Sequence, residues 1–225
     1  MYWQEPTHTH DVTVNDSVVD MVFAIRCREL PVDHAHSLAK AIMVYLPWLR
    51  EEIGAGIHSI HVAASGNGWM RPPRDDDLLF PSRRTKLRIR IPIEREADTR
   101  VLSSKLLKID GHELAIGDAR KKSLSALTTL FSRHMVVDAT ETEEAFLDRV
   151  AGNLKEMGVH PQKMLCGIEN TINTPDRPLK TRSLMLAELR LEESAVLQTQ
   201  GMGECRHLGC GLFIPHRGIA ELKDT

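Results

Sequence analysis

Residues 201 to 217, GMGECRHLGCGLFIPHR, gather more potential chemistry than any other stretch of the chain. Gly201, Gly203, Gly209 and Gly211 fall as GxGxxxxxGxG just before an apolar FIP run. Glycine at that density lets backbone come close to a phosphate chain and turn N–H groups toward it. Arg206 and His207 lie in the middle, where a guanidinium and an imidazole can reach anionic oxygens. A Rossmann fingerprint has different spacing and follows a strand rather than preceding one, so dinucleotide binding is excluded. The plain alternative is a tight helix-to-strand connection that holds no ligand.

A second set of cations runs through SRRTKLRIRIP, residues 82 to 92. Side chains alternate along a strand, so Leu87, Ile89 and Ile91 point one way while Lys86, Arg88 and Arg90 point the other. Arg83 and Arg84 extend the basic group at its start. A row of cations on an uncovered sheet face suits RNA phosphates; the alternative is an ordinary solvated face. The chain also has eleven histidines. His34 opens an amphipathic stretch, where the positive end of a helix disfavours imidazolium and keeps a neutral, base-competent ring near pH 7. His36 lies on the more exposed side of the same stretch. His58 opens an apolar run, and His61 faces the opposite way along it.

The elements that must position these groups read as one pattern written twice. In the first half, MVFAIRC (21 to 27) is a strand, and Asp33 caps a helix from His34 to about Leu46. IHSIHVAA (57 to 64) and TKLRIRIPI (85 to 93) are strands separated by a Gly, Pro and Asp-rich loop. A short helix near 96 to 104 precedes a hairpin turned by Asp110-Gly111. In the second half, 127 to 137 is a strand, and a Thr140–Glu143 capping box starts a helix carrying Phe146, Val150, Leu154 and Met157, closed by Gly158. KMLCGIENTI and LKTRSLMLAEL are strands, residues 191 to 200 a helix, and GLFIPH a last strand. The expectation is an α+β protein of tandem ferredoxin-like (RRM-like) domains, each βαββαβ. Its expected parts are a polar tail over 1–17, an N-terminal domain over 18–120, and a C-terminal domain with the glycine-rich loop over 121–225. The boundary falls at the basic stretch Arg120-Lys121-Lys122.

Bulk properties narrow the function. With 225 residues, 42% hydrophobic and 27% charged, the chain can bury a proper core. No apolar run is long enough to span a bilayer, and the polar, acidic start lacks the regions of a signal peptide, so a cytoplasmic location is expected. Cys27 and Cys166 lie in apolar runs as expected buried thiols. Cys205, His207 and Cys210 resemble half a metal site, but no second pair of ligands stands at zinc spacing. Asp75-Asp76-Asp77 is read as solvated. Neither a metal nor a cofactor is expected. The net charge of −2 argues against nucleic-acid binding unless the cations are gathered on one surface.

With these pieces placed, the chain resembles the CRISPR-associated endoribonucleases that mature guide RNA, especially the compact subgroup labelled MYXAN. The resemblance runs from about Val18 to Ile219 and is carried by LPVDH (30 to 34), GIHSIHV (56 to 62), SRRTKLRIRIP and LQTQGMGECRHLGCGLFIPHRG (197 to 218). The last is specific, because a glycine-rich loop before a final FIP-type strand identifies the family. The resemblance implies recognition of CRISPR repeat RNA and crRNA, association with CRISPR effector complex subunits, and no membrane partner. It also implies a metal-independent cut by the 2′-hydroxyl that leaves 2′,3′-cyclic phosphate and 5′-hydroxyl ends. The family's catalytic histidine lies on the first helix or in the segment after it. That implies His34 first, then His58, with His36 third, while Arg83, Arg84 and Arg206 are the implied phosphate contacts. Two other readings stand beside it: a non-catalytic repeat-RNA-binding scaffold, and a ferredoxin-like metabolite-binding protein.

Overall fold

The computed structural model describes residues 17–62, 77–125 and 127–216. In chain order the elements are β1 (Val18–Arg26), β2 (Leu30–Pro31), α1 (Ala35–Met43), β3 (Gly56–His58), β4 (Leu78–Leu79), β5 (Lys86–Pro92), α2 (Glu96–Thr99), β6 (Leu106–Ile109) and β7 (His112–Ser123). The second half follows with β8 (Leu130–Val136), α3 (Glu143–Glu156), β9 (Lys163–Ile172), β10 (Leu179–Ala187), α4 (Leu191–Gln200) and β11 (Phe213–Pro215). The first sheet has the order β3-β5-β1-β7-β6 and the second β11-β8-β10-β9. All pairings within these two sheets are antiparallel. Two ferredoxin-like units therefore stand in tandem.

Period-two patterning accounts for the strands. Leu87, Ile89 and Ile91 are each 0% exposed and face Met21 and Phe23 in one core. Leu38, Ala39 and Ile42 of α1 close over that core. In the second unit Phe146, Val150 and Leu154 of α3 pack with Leu184, Leu186 and Leu197. The hairpin turn has Asp110 at φ 47° and Gly111 at φ 86°, the left-handed pair that a tight two-residue turn requires.

Several local expectations are corrected. His34, not Asp33, occupies the N-cap position of α1, with helical backbone angles and no side-chain cap bond. The Asp33 carboxylate instead accepts from the N–H (2.9 Å) and Nδ2 (2.7 Å) of Asn173 in the second unit. Thr142 rather than Thr140 caps α3, accepting from the Ala145 N–H at 3.2 Å. Glu141, just before it, is held by the Arg149 guanidinium at 2.7 Å. The α1 helix stops at Met43, and sheet pairing of the next strand stops at His58. Residues 63, 64, 75 and 76 lie outside the described residues. Arg120, Lys121 and Lys122 belong to β7, opposite Val22, Met21 and Asp20 of β1. Cys27 and Cys166 are only part-buried, and Cys210 is the buried thiol.

The units are joined by more than chain. Arg90 is 1% exposed. Its Nε donates to Asp20 Oδ1 at 2.9 Å, and its Nη1 to the carbonyls of Gln198 (2.9 Å) and Phe213 (2.8 Å). Ile172, Leu179, Leu208 and Cys210 enter the core of the first unit.

Candidate nucleic-acid interface and catalytic cluster

Partners across an antiparallel ladder share a face of the sheet. The register of β3, β5, β1 and β7 therefore sets His58, Arg88, Val22 and Arg120 in one row, with Gly56, Arg90, Asp20 and Lys122 in the next. The core side is closed by α1, so this row-bearing face is the other one. Arg26, Arg120 and Lys122 are exposed, and Lys86 and Arg88 are half-exposed. The gathering of cations that the net charge seemed to deny is thus built by register. In the sequence Arg120 and Lys122 mark only a domain boundary, and Arg26 carries no functional expectation. A signal existed in KK and R at strand ends, but only pairing shows which face they share. Arg90 must be removed from the expected set of RNA contacts, because its guanidinium is enclosed and spent on Asp20 and two carbonyls.

Arg83 and Arg84 are exposed in the bend before β5, where Ser82 N–H donates to Thr85 Oγ1 at 3.0 Å. Strand rise puts them roughly 20 Å along β5 from Arg90. Arg83 lines a cavity of about 560 Å³ together with Arg26 and Arg28. The structure does not bring this pair to the glycine-rich loop.

That loop lies along the free edge of β3. Gly209, at φ 88°, is so close that a Cβ there would stand 3.1 Å from the Ile57 carbonyl. Gly211, at φ 66°, donates its N–H to the His134 carbonyl at 2.7 Å, and a Cβ on it would collide with the Met202 carbonyl. Gly201, at φ 64°, would put a Cβ 2.7 Å from the Gly211 carbonyl. These three glycines are buried, so the protein's own backbone demands them and they are corrected from phosphate contacts to packing positions. Gly203, at φ 78°, is exposed with open space around it. The reachable part of the loop is therefore Gly203 to His207. Among the described residues, no backbone carbonyl accepts from the N–H groups of Gly203, Glu204, Arg206 or His207.

The loop contributes two side chains, Arg206 and His207, from its short turn. Arg206, half-buried, packs over Gly201, and burial together with Arg90 draws its pKa below the ordinary value. His207, also half-buried, has its pKa lowered by burial and by the charges of Arg50 and His36. The Arg206–Leu208 turn packs against α1, β3 and the Pro47–Arg50 turn, the elements that carry His36, His58 and Arg50.

The remaining histidines are held differently. His34 is 2% exposed. Its Nδ1 lies 2.8 Å from the Pro31 carbonyl, and its Nε2 accepts from the Ile60 N–H at 3.0 Å. With Nδ1 as donor, the ring has no lone pair left for a substrate proton; it fixes the chain as it leaves β3. His58 lies beside Asp20, with Nε2 3.7 Å from Oδ1, too long for a hydrogen bond. Burial lowers the His58 pKa; Asp20 counters this, while Arg90 and Arg88 add to it. Burial would raise the Asp20 carboxyl, but Arg90 and His58 more than offset that and hold it well below the carboxylate range.

Among the described residues, no group of three or more His, Cys, Asp or Glu side chains is gathered as a metal-binding set. Nor is any described helix long and apolar enough to cross a membrane.

Fold and site together define a tandem ferredoxin-like protein with a cationic sheet face and a glycine-rich loop at its edge. The sequence profile described as Cas6 Crispr matches residues 19–218. A CRISPR-associated endonuclease Cas6 of Myxococcus xanthus (strain DK1622) is 31% identical over 205 residues, which is 91% of this chain and 84% of that protein. The chain belongs to the Cas6 family. Among solved structures, a CRISPR-associated protein Cas6 superposes with a TM-score of 0.59 at 9% identity, over 89% of this chain and 100% of that one. A Cas6-related protein of Pyrococcus furiosus gives 0.57 at 15% identity, over 92% and 100%. A RAMP protein described as binding different RNA substrates gives 0.60 at 14%, over 87% and 98%. At these identities the structures attest the fold alone.

Proposed function

We propose that the chain is a cytoplasmic endoribonuclease that cuts CRISPR repeat RNA by metal-independent transesterification and passes the crRNA to effector subunits. Family membership and the endonuclease named in Myxococcus xanthus support the class of reaction. The observation that carries the mechanism is the packing of the exposed-side Arg206–Leu208 turn against the elements of His36 and Arg50, whose charges bear on His207. An attack by the 2′-hydroxyl needs a base for the hydroxyl proton, an acid for the leaving 5′-oxygen and a cation for the phosphorane. His207, held neutral near pH 7, accepts the 2′-hydroxyl proton. The 2′-oxygen bonds to phosphorus, and His36 delivers a proton to the departing 5′-oxygen. The products are a 2′,3′-cyclic phosphate and a 5′-hydroxyl, while Arg50 and the loop N–H groups stabilise the charge between them. In this reading His34 is a positioning residue, and the Arg88, Arg120 and Lys122 face binds the RNA backbone.

The test is cleavage of the repeat encoded beside the gene, in EDTA. Wild type should cut, and a 2′-deoxy substitution at the attacking ribose should abolish cutting while binding persists. His207→Ala and His36→Ala should each lose on the order of 10²–10⁴-fold in rate. Loss confined to His58→Ala or His34→Ala would move the base to that residue. A wild type that binds the repeat but never cuts it would make the chain a scaffold. Absence of RNA binding would favour the metabolite-binding reading.

A further inference from the structure

On the open face of the second sheet, β8 presents Phe131 and Arg133, while their neighbours Leu130 and Ser132 are 0% exposed on the opposite face. The Arg133 guanidinium lies 5.7 Å from the Phe131 ring centroid. The His216 ring stands 6.1 Å from the same centroid, tilted by 56°. Phe131, Arg133 and His216 are all part-exposed. Among the described residues no carboxylate pairs with Arg133. Burial lowers the Arg133 pKa, and the like charge of Arg88, on the open face of the first sheet, adds to this. Among the described residues Arg88 pairs with Asp20 alone, at 3.8 Å, and that carboxylate is already committed to Arg90 at 2.9 Å.

A guanidinium on an open sheet face with no carboxylate partner among the described residues can take a phosphodiester as its anion. Aromatic faces beside such an anion suit the base attached to it, because stacking needs only a π-face and is sequence-tolerant. We propose that Phe131 and His216 stack an unpaired base of the RNA while Arg133 holds its phosphodiester, a nucleotide subsite on the open face of the second sheet. This rests on the reading of the chain as a repeat-RNA binder and adds where an unpaired nucleotide is held.

The experiment uses the full chain and repeat RNA made uncleavable by a 2′-deoxy substitution, with 2-aminopurine placed in turn at each unpaired position. Wild type should quench the probe at one position on binding. Phe131→Ala and Phe131→Leu should both abolish that quenching and weaken binding by about five- to hundredfold, the worth of one stacked base. The leucine keeps the apolar bulk, so its melting temperature should stay near wild type. Arg133→Gln should weaken binding and lower the log–log salt slope by about 0.7, one phosphate on a single strand. If wild type binds no RNA, the functional reading fails before this one. If wild type binds with salt dependence but all three variants bind within about twofold and keep slope and quenching, the subsite is refuted. Normal affinity and quenching in Phe131→Leu would also refute it, since the contact would then be packing rather than stacking.

Discussion

Arg88 and Arg90 stand two residues apart on the same strand face, yet they should behave as opposites. Arg90→Met removes a guanidinium that makes three hydrogen bonds of 2.8 to 2.9 Å and leaves the Asp20 carboxylate and the Gln198 and Phe213 carbonyls facing the interior. Breaking a buried pair from one side costs about 3–5 kcal/mol, and the stranded carbonyls push toward the upper end. For a chain of this size each kcal/mol lowers the melting temperature by roughly 2–4 °C, so a fall of about 6–20 °C is expected. Arg88→Met removes a side chain 34% exposed and 3.8 Å from the same carboxylate. It should cost under about 1 kcal/mol, while lowering the salt slope of RNA binding by about 0.7. Thermal unfolding by circular dichroism and RNA titrations over a salt series read both quantities. Because the loss in Arg90→Met comes from an orphaned charge, adding Asp20→Leu should recover part of it. Arg90→Met melting within about 3 °C of wild type, or Arg88→Met melting as low as Arg90→Met, would refute this division of labour.

Protonation should weaken the fold from the same place. His58 has its pKa lowered in the folded state, so it binds fewer protons than the unfolded chain, and the stability it lends above its ordinary 6.5 is lost as pH falls below that value. Asp20, also lowered, adds stability above its ordinary 3.8 that disappears below it. Melting temperature should therefore drop between pH 7.5 and 5, and His58→Asn should flatten the upper part of that drop; an unchanged slope would contradict it. In the pH–rate profile of cleavage, the rising limb should have its midpoint below 6.5, since His207 is lowered from that value; a midpoint above it excludes His207 as base. Gly211→Ala must displace the Met202 carbonyl and adopt φ 66°, whereas Gly203→Ala meets open space at φ 78°. The second should cost roughly 1–2 kcal/mol for its left-handed backbone and the first distinctly more. Equal melting temperatures would show that the loop yields.

Much of the architecture was written in periodicity. Leu87, Ile89 and Ile91 had to share a face because side chains alternate along a strand, and Asp110-Gly111 had to turn because few other pairs accept two left-handed residues. The repeated βαββαβ order likewise needed only local patterns. Helix caps were less legible: Asp33 has the right side chain for a cap, but Asn173, 140 residues away, takes its carboxylate. The glycine spacing marked the tight loop but not its purpose, since a residue bent for its own backbone and one bent for a ligand are the same letter.

The candidate site shows the same division. Residue types alone named His36, His58, His207, Arg88 and Arg206 as groups able to hold or cut an RNA backbone. Which of them are available was decided in three dimensions. Folding encloses Arg90 between two units, engages both nitrogens of His34 with the backbone and packs the turn of His207 against the helix of His36. Through register it sets Arg120 and Lys122 beside Arg88. Side-chain chemistry and local period are properties of the chain; burial, partner and charge environment are properties of contacts between distant segments, and they decide which cations remain free for phosphate.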